Sequence, residues 1–135
     1  MRIVIAEPRD PFARQSASRA SLLAGHLLRK GHEIEGVALP VTRDSRADAS
    51  AWRLLNLARS NLRPIDLVIA TAFPAYCVRH PRKVAWIAEP GDEAPVAADL
   101  VDLRARMLAE CTRVVAFEPR APGIPWDAVI EQLLG

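Results

Sequence analysis

Five short apolar segments, separated by stretches of helical character, are the feature that most constrains the fold of this chain. The segments are RIVIAE (2–7), EIEGVAL (33–39), DLVIAT (66–71), KVAWIAE (83–89) and RVVAFE (113–118). Four of them are almost continuously apolar, which is typical of strands covered on both faces and hence of a parallel sheet. We therefore predict an α/β fold, a single Rossmann-like three-layer domain with a five-stranded parallel sheet in the order 3-2-1-4-5.

Helical segments are predicted between these strands, so that strand and helix alternate along the chain. The predicted helices cover 16–30, 49–61 and 97–111, with a turn or two of helix at 74–79 and a closing helix at about 125–134. In the closing helix, Trp126, Val129 and Ile130 begin an apolar stripe with helical spacing. The segments 41–50 and 90–97 are predicted loops. A length of 135 residues predicts one domain over 1–135.

Charge is unevenly distributed along the chain, although the formal net charge is only +2. Residues 1–83 contain 14 Lys and Arg against 7 Asp and Glu, whereas residues 84–135 contain 4 against 9. The basic part makes an anionic membrane surface, a phosphate or an acidic protein a candidate partner, and a solvated helix face is the structural alternative. Nucleic acid is not expected as a partner, because no reader motif accompanies the basic residues.

The two cysteines and the lengths of the apolar runs indicate the cellular location of the protein. Cys77 and Cys111 each lie in an apolar setting, which is typical of buried, reduced thiols in a cytoplasmic protein. No apolar run approaches the roughly 18 residues that a membrane span requires. We expect a cytoplasmic protein. The basic first half would also allow peripheral attachment to the inner face of the membrane.

A glutamate closes the first, fourth and fifth predicted strands. These residues are Glu7, Glu89 and Glu118, and Asp10 and Asp92 follow the first two at the same offset. In the order 3-2-1-4-5 the three strands are neighbours, so the glutamates would lie about 5 Å apart along the carboxyl edge, where open α/β sheets bind ligands. The row could bind a cation or a cationic ligand, or supply a general base. The alternative is structural, because carboxylates at this edge also cap helix N-termini.

Several catalytic and cofactor motifs are missing from the sequence. The first strand–helix turn, EPRDPFARQSAS, contains no glycine, which argues against a bound dinucleotide. No P-loop, Gly-x-Ser-x-Gly, Cys-x-x-Cys or His-Glu-x-x-His pattern occurs, and His26, His32 and His80 are scattered. We predict no metal site and no resident cofactor.

Several stretches resemble the N-terminal domain of family 4 glycosyltransferases. MRIVIAE and LLAGHLLRKGHEIEGVALP are similar to the family's first strand, helix, Gly-His turn and second strand. DLVIATAFPAY followed by VRHPRKVAWI resembles a subgroup that acts on polysaccharide or lipid-linked acceptors. IPWDAVIEQLL is similar to the helix that closes such enzymes.

The resemblance implies an acceptor-side domain whose C-terminal donor domain is missing. It makes Thr71, Phe73 and Tyr76 candidate acceptor contacts, with packing of a short helix as their structural alternative. The family's Gly-Gly pair near the donor phosphates is replaced here by residues 10–15. A nucleotide sugar would be the cosubstrate of an active enzyme of this kind.

Three hypotheses about function follow. The first is an accessory or binding module of glycosyltransferase type, without transferase activity alone, that works as a homo-oligomer or with a partner protein. The second is the acceptor-side subunit of a split or minimal glycosyltransferase. The third is a small metal- or carboxylate-dependent enzyme built on Glu7, Glu89 and Glu118.

Overall fold

The structure is a computed structural model, and it describes residues 1–9, 19–57, 59–60, 63–88, 98–117 and 125–135. The strands are β1 (Arg2–Arg9), β2 (Glu33–Pro40), β3 (Arg59–Ser60), β4 (Arg63–Pro64), β5 (Leu67–Ala70), β6 (Lys83–Ala88) and β7 (Arg113–Phe117). The helices are α1 (Arg19–Arg29), α2 (Ser45–Leu54), α3 (Val101–Glu110) and α4 (Trp126–Leu134). Short 3₁₀ turns cover Ala75–Cys77 and Ala98–Leu100.

The predicted parallel sheet is confirmed, and its strand order is corrected. The five long strands pair in parallel in the order β2-β1-β5-β6-β7, which is 2-1-3-4-5 when only these strands are counted. The predicted order 3-2-1-4-5 was wrong because the third long strand, β5, crosses back over β1 and does not lie outside β2. Residue composition agrees with this order. β5 is buried along its whole length, as a central strand should be, whereas β2 carries Glu33 and Glu35 and is only partly buried at the edge.

Helices cover both faces of the sheet and create two apolar cores. On one face, α1 and α4 pack through Leu23, Leu27 and Leu133 against strand residues that include Trp86. On the other face, Trp52 of α2 and Met107 of α3 pack with the 3₁₀ turn against the alternate strand residues. Successive strand side chains point to opposite faces, so the inner strands β1, β5 and β6 contribute to both cores, whereas the edge strand β7 contributes Val115 to the α1–α4 core and leaves Val114 exposed. The predicted three-layer α/β architecture is therefore confirmed.

Helix α2 begins earlier and ends earlier than its apolar pattern predicts. Asp44 is its N-cap, and the carboxylate accepts hydrogen bonds from the backbone N–H groups of Arg46 and Ala47, each 3.1 Å long. This cap starts the helix within the predicted loop 41–50. The helix ends at Leu54, and the β3–β4 hairpin lies where the prediction extends the helix to residue 61.

The remaining elements lie close to their predicted positions. The closing helix, α4, and the strand before it, β7, differ from prediction by one residue at an end, and the predicted turn at 74–79 is the 3₁₀ turn Ala75–Cys77. Among the helices that the structure describes, none is long and apolar enough to cross a membrane.

Candidate functional site at the carboxyl edge of the sheet

The candidate ligand site is the carboxyl-edge crevice between β1 and β5. The chain leaves β1 in one direction to form β2, and then crosses back to form β5 on the other side of β1. In open α/β sheets, the reversal of crossover direction separates the loops and leaves a crevice at the carboxyl ends of the two strands. The last register pair of β1 and β5 is Ala6 with Ala70, so Glu7 and Thr71 are the next residues at this crevice.

Glu7 and Thr71 are neighbours in the backbone register at the end of the β1–β5 pairing. The backbone N–H of Thr71 donates a 3.1 Å hydrogen bond to the carbonyl oxygen of Ala6, which continues the pairing beyond the strand. Ile5, two residues earlier on β1, packs in the core beneath α1, and the two-residue period of the strand carries Glu7 to the same face. Thr71 is the first residue after β5. Both side chains are half-buried. The Glu7 carboxylate accepts hydrogen bonds. The Thr71 hydroxyl donates a 3.4 Å hydrogen bond to the carbonyl oxygen of Ala6 and keeps its capacity to accept.

A groove of about 280 Å³ adjoins Glu7 between α1 and the strands β1 and β2. Small residues on facing elements, among them Ala20, Ala24 and Gly36, leave this space open. Its polar lining includes Glu7, Arg9 and Ser21. The groove therefore extends the crevice along the α1 face with both acidic and basic groups.

The row of three glutamates stays a prediction, but the strands that precede its members are not all neighbours as the predicted order assumed. Glu7 follows β1 and Glu89 follows β6, and β5 separates these two strands. Since strands lie about 4.8 Å apart, two strand spacings, or roughly 10 Å, separate the ends of β1 and β6. Strands β6 and β7, which precede Glu89 and Glu118, do pair with each other. Glu89 and Glu118 themselves lie outside the described residues, as do Asp10 and Asp92.

Phe73 and Tyr76 occupy different environments. Tyr76 is completely buried in the core beneath α2, with 0% of its surface exposed, and so it matches the packing alternative. Phe73 is half-buried against the same core, and its ring centroid lies 5.6 Å from that of Tyr76 in a tilted arrangement. Of the three residues that the resemblance made acceptor contacts, Thr71 is thus the one beside Glu7.

Cys77 is buried and Cys111 is partly buried, and the ionisation of both thiols is suppressed. Burial raises the pKa of Cys77 from its ordinary value of 9.0 to about 11 and also raises the pKa of Cys111. A thiolate is the nucleophilic form of cysteine, so neither thiol is prepared for nucleophilic chemistry. In the described part of the chain, no group of three or more His, Cys, Asp or Glu residues could hold a metal ion.

Charged residues at the opposite, amino edge of the sheet form a cluster that no sequence motif predicted. Lys83, the first residue of β6, is 2% exposed, and its ammonium donates hydrogen bonds to the carbonyl oxygens of Tyr76 and Val78. Arg53 makes a bidentate ion pair with Glu110, which joins the last turns of α2 and α3. The available signal was the stretch VRHPRK (78–83), which brings four basic side chains to one strand start.

No protein-family model, curated protein or solved structure matches the chain. The function must therefore be inferred from the crevice and from the chemistry of its residues.

Proposed function

We propose that the chain is a glycosyltransferase-like N-terminal-type domain that acts as an accessory or binding module and lacks transferase activity alone. Its ligand is a saccharide acceptor, held in the crevice between β1 and β5. The observation that carries the proposal is the reversal of crossover direction at β1, which brings Glu7 and Thr71 together at the carboxyl edge.

The chemistry of the crevice suits sugar hydroxyl groups. The Glu7 carboxylate accepts hydrogen bonds from hydroxyls, and the Thr71 hydroxyl, which donates to the carbonyl oxygen of Ala6, accepts a hydrogen bond from a further hydroxyl. The adjoining groove of about 280 Å³ is just below the usual range of small-molecule pockets, which begins at about 300 Å³. A compact polar ligand such as a sugar unit fits a space of this size better than an extended cofactor does.

Two features support a module without its own transferase activity. The turn after β1 has no glycine that would let backbone approach a diphosphate, as the sequence EPRDPFARQSAS shows. The strands that precede Glu7 and Glu89 are not neighbours, because β5 lies between them, and this argues against a carboxylate-dependent enzyme built on that pair. A module of this kind would work as a homo-oligomer or with a partner protein that supplies the donor side.

The test is equilibrium binding of the purified chain to a panel of oligosaccharides. In parallel, the melting temperature is measured against UDP-, GDP- and ADP-sugars, with and without divalent metal. We expect saturable saccharide binding that weakens about tenfold in Thr71→Val and in Glu7→Gln, because each loses one hydrogen-bonding group at the crevice. Thr112→Val, which alters an exposed threonine at the opposite edge, is the matched control.

Two outcomes would contradict the proposal. The absence of saccharide binding would exclude a saccharide-binding module. A rise of several degrees in melting temperature with one nucleotide sugar would mean that the chain carries a donor site, as a minimal transferase would.

A further inference from the structure

The amino edge of the sheet holds a cavity of about 420 Å³, on the side of the molecule opposite to the carboxyl-edge crevice. It lies where α2 and α3 end and where β6 begins. Its polar lining includes Arg53, Asn56, Arg79, Lys83 and Glu110, so separate segments of the chain converge on it. The volume is within the range of about 300–1,000 Å³ that is usual for small-molecule sites.

Positive charge exceeds negative charge around this cavity. Three cationic side chains, Arg53, Arg79 and Lys83, face one carboxylate, that of Glu110. That carboxylate is already engaged, since Arg53 donates to it through two nitrogens at 2.8 and 3.0 Å. The ends of α2 and α3 add partial negative charge here, but a helix terminus contributes only about half an elementary charge. An excess of positive charge therefore remains.

Lys83 brings a buried ammonium group to the wall of the cavity. Its Nζ donates to the carbonyl oxygens of Tyr76 at 2.7 Å and Val78 at 3.0 Å. An ammonium has three N–H donors, and the third has no acceptor among the residues that the structure describes. Burial lowers the pKa of Lys83, because a buried cation is costly without a compensating anion. An anionic oxygen in the cavity would supply both the third acceptor and the compensating charge.

Arg79 presents its guanidinium from a fixed backbone position. The backbone N–H of Arg79 donates to the carbonyl oxygen of Leu55 at 3.0 Å, and the backbone carbonyl of Arg79 accepts from the N–H of Leu57 at 3.2 Å. The side chain is exposed and donates one hydrogen bond, from Nη2 to the carbonyl oxygen of Leu54 at 3.3 Å. A guanidinium has five N–H donors in a planar arrangement that matches phosphate oxygens.

We propose that this cavity binds a small phosphorylated molecule, with its phosphate group between the Arg79 guanidinium and the Lys83 ammonium. Arg79 supplies a planar, bidentate contact and Lys83 supplies a compact charge, which is a common division of roles in phosphate recognition. The ligand is distinct from the saccharide acceptor, because the two sites are at opposite edges of the sheet.

Inorganic phosphate and pyrophosphate are the probes for this site. Each is titrated into the purified chain at constant ionic strength, with chloride as the reference anion, and binding is followed by calorimetry and by the melting temperature. We expect saturable binding of phosphate beyond the effect of chloride. Arg79→Gln should raise the dissociation constant about tenfold or more, because it removes a charge-assisted contact.

Arg63→Gln is the matched control, since Arg63 lies at the same edge but outside the cavity and pairs with Glu33. This substitution should change the dissociation constant for phosphate by no more than about twofold, because it alters only the screened, long-range attraction. Lys83→Met should weaken binding in the same direction as Arg79→Gln. If Lys83→Met does not fold, the comparison of Arg79→Gln with Arg63→Gln still decides the question.

Three results would overturn the proposal. The first is a wild-type chain that responds to phosphate no more than to chloride. The second is an equal loss of binding in Arg63→Gln and Arg79→Gln, which would indicate edge charge and not a cavity. The third is binding to vesicles of phosphatidic acid and phosphatidylcholine without any response to free phosphate, which would indicate a membrane-facing surface.

Discussion

The ammonium nitrogen of Lys83 lies 2.7 Å from the carbonyl oxygen of Tyr76, and this contact ties the start of β6 to the 3₁₀ turn before it. A second bond, 3.0 Å long, reaches the carbonyl oxygen of Val78. Lys83 thus satisfies two backbone acceptors at the end of a turn, where unpaired carbonyl groups would otherwise be buried. The same residue borders the amino-edge cavity, so its structural and ligand-binding roles need separate tests.

Replacement of Lys83 by methionine should lower the free energy of unfolding by about 1–3 kcal/mol. The substitution leaves the carbonyl oxygens of Tyr76 and Val78 without their donor, and removal of the buried charge offsets only part of this cost. Urea denaturation at neutral pH measures the change.

The control for this prediction is the other lysine of the chain. Lys30 is exposed and makes a surface ion pair with Asp127 at 3.2 Å. Lys30→Met should therefore change the free energy of unfolding by less than about 0.5 kcal/mol. Equal effects of the two substitutions would show that the Lys83 hydrogen bonds add nothing to stability.

The raised pKa of Cys77 predicts that the free energy of unfolding decreases at alkaline pH. Burial raises its pKa from 9.0 to about 11, so between these values the folded chain holds a proton that the unfolded chain releases. Stability contributed by the protonated thiol is therefore complete below pH 9.0 and decreases as the pH rises towards about 11. The loss should approach about 3 kcal/mol, the product of about two pKa units and 1.36 kcal/mol for each unit.

The measurement is the difference in free energy of unfolding between the wild-type chain and Cys77→Ala, taken at several pH values from neutral to about 11. Cys111 and Lys83 also have shifted pKa values, but they are present in both proteins, so the comparison removes the part of their titration that does not depend on Cys77. Cys77→Ala will be less stable near neutrality because it leaves a small cavity. A difference that stays constant with pH would contradict the shifted pKa.

Asp44 should contribute measurably to α2 through its N-cap. Its carboxylate accepts from the N–H groups of Arg46 and Ala47, which have no partner within the helix. Asp44→Ala should cost about 0.5–2 kcal/mol in thermal or urea unfolding. Arg43→Ala, one residue earlier and exposed, should have little effect. A cost of the same size for both substitutions would argue against the cap.

The corrected strand order can be tested by cross-linking. Glu7 and Thr71 follow the paired residues Ala6 and Ala70, and adjacent strands bring their Cα atoms within the 4.4–6.8 Å that disulfides allow. The double variant Glu7→Cys/Thr71→Cys should form an intramolecular disulfide on oxidation, detected by mass spectrometry of tryptic peptides. In the order 3-2-1-4-5 these positions would be separated by β2 and would not cross-link with each other.

Part of the candidate site could be predicted from sequence and part could not. Glu7 and Thr71 were each identified separately, one from its strand-end position and one from the family resemblance. Their adjacency was missed because the predicted order placed β2 between β1 and β5. A signal was present, since Glu33, Glu35 and Gly36 make β2 less apolar than β5 and favour an edge position for it.

The sequence by itself determined the local elements of this protein. Apolar runs such as DLVIAT specify buried strands, and the spacing of Trp126, Val129 and Ile130 specifies the closing helix, because side-chain periodicity is a property of neighbouring residues. Only the tertiary structure decided which strands are adjacent and that Arg53, Arg79 and Lys83 surround one cavity. Those relations depend on the direction of each crossover and on how helices pack on each face. Residues far apart in the chain set these features together, and no local period encodes them.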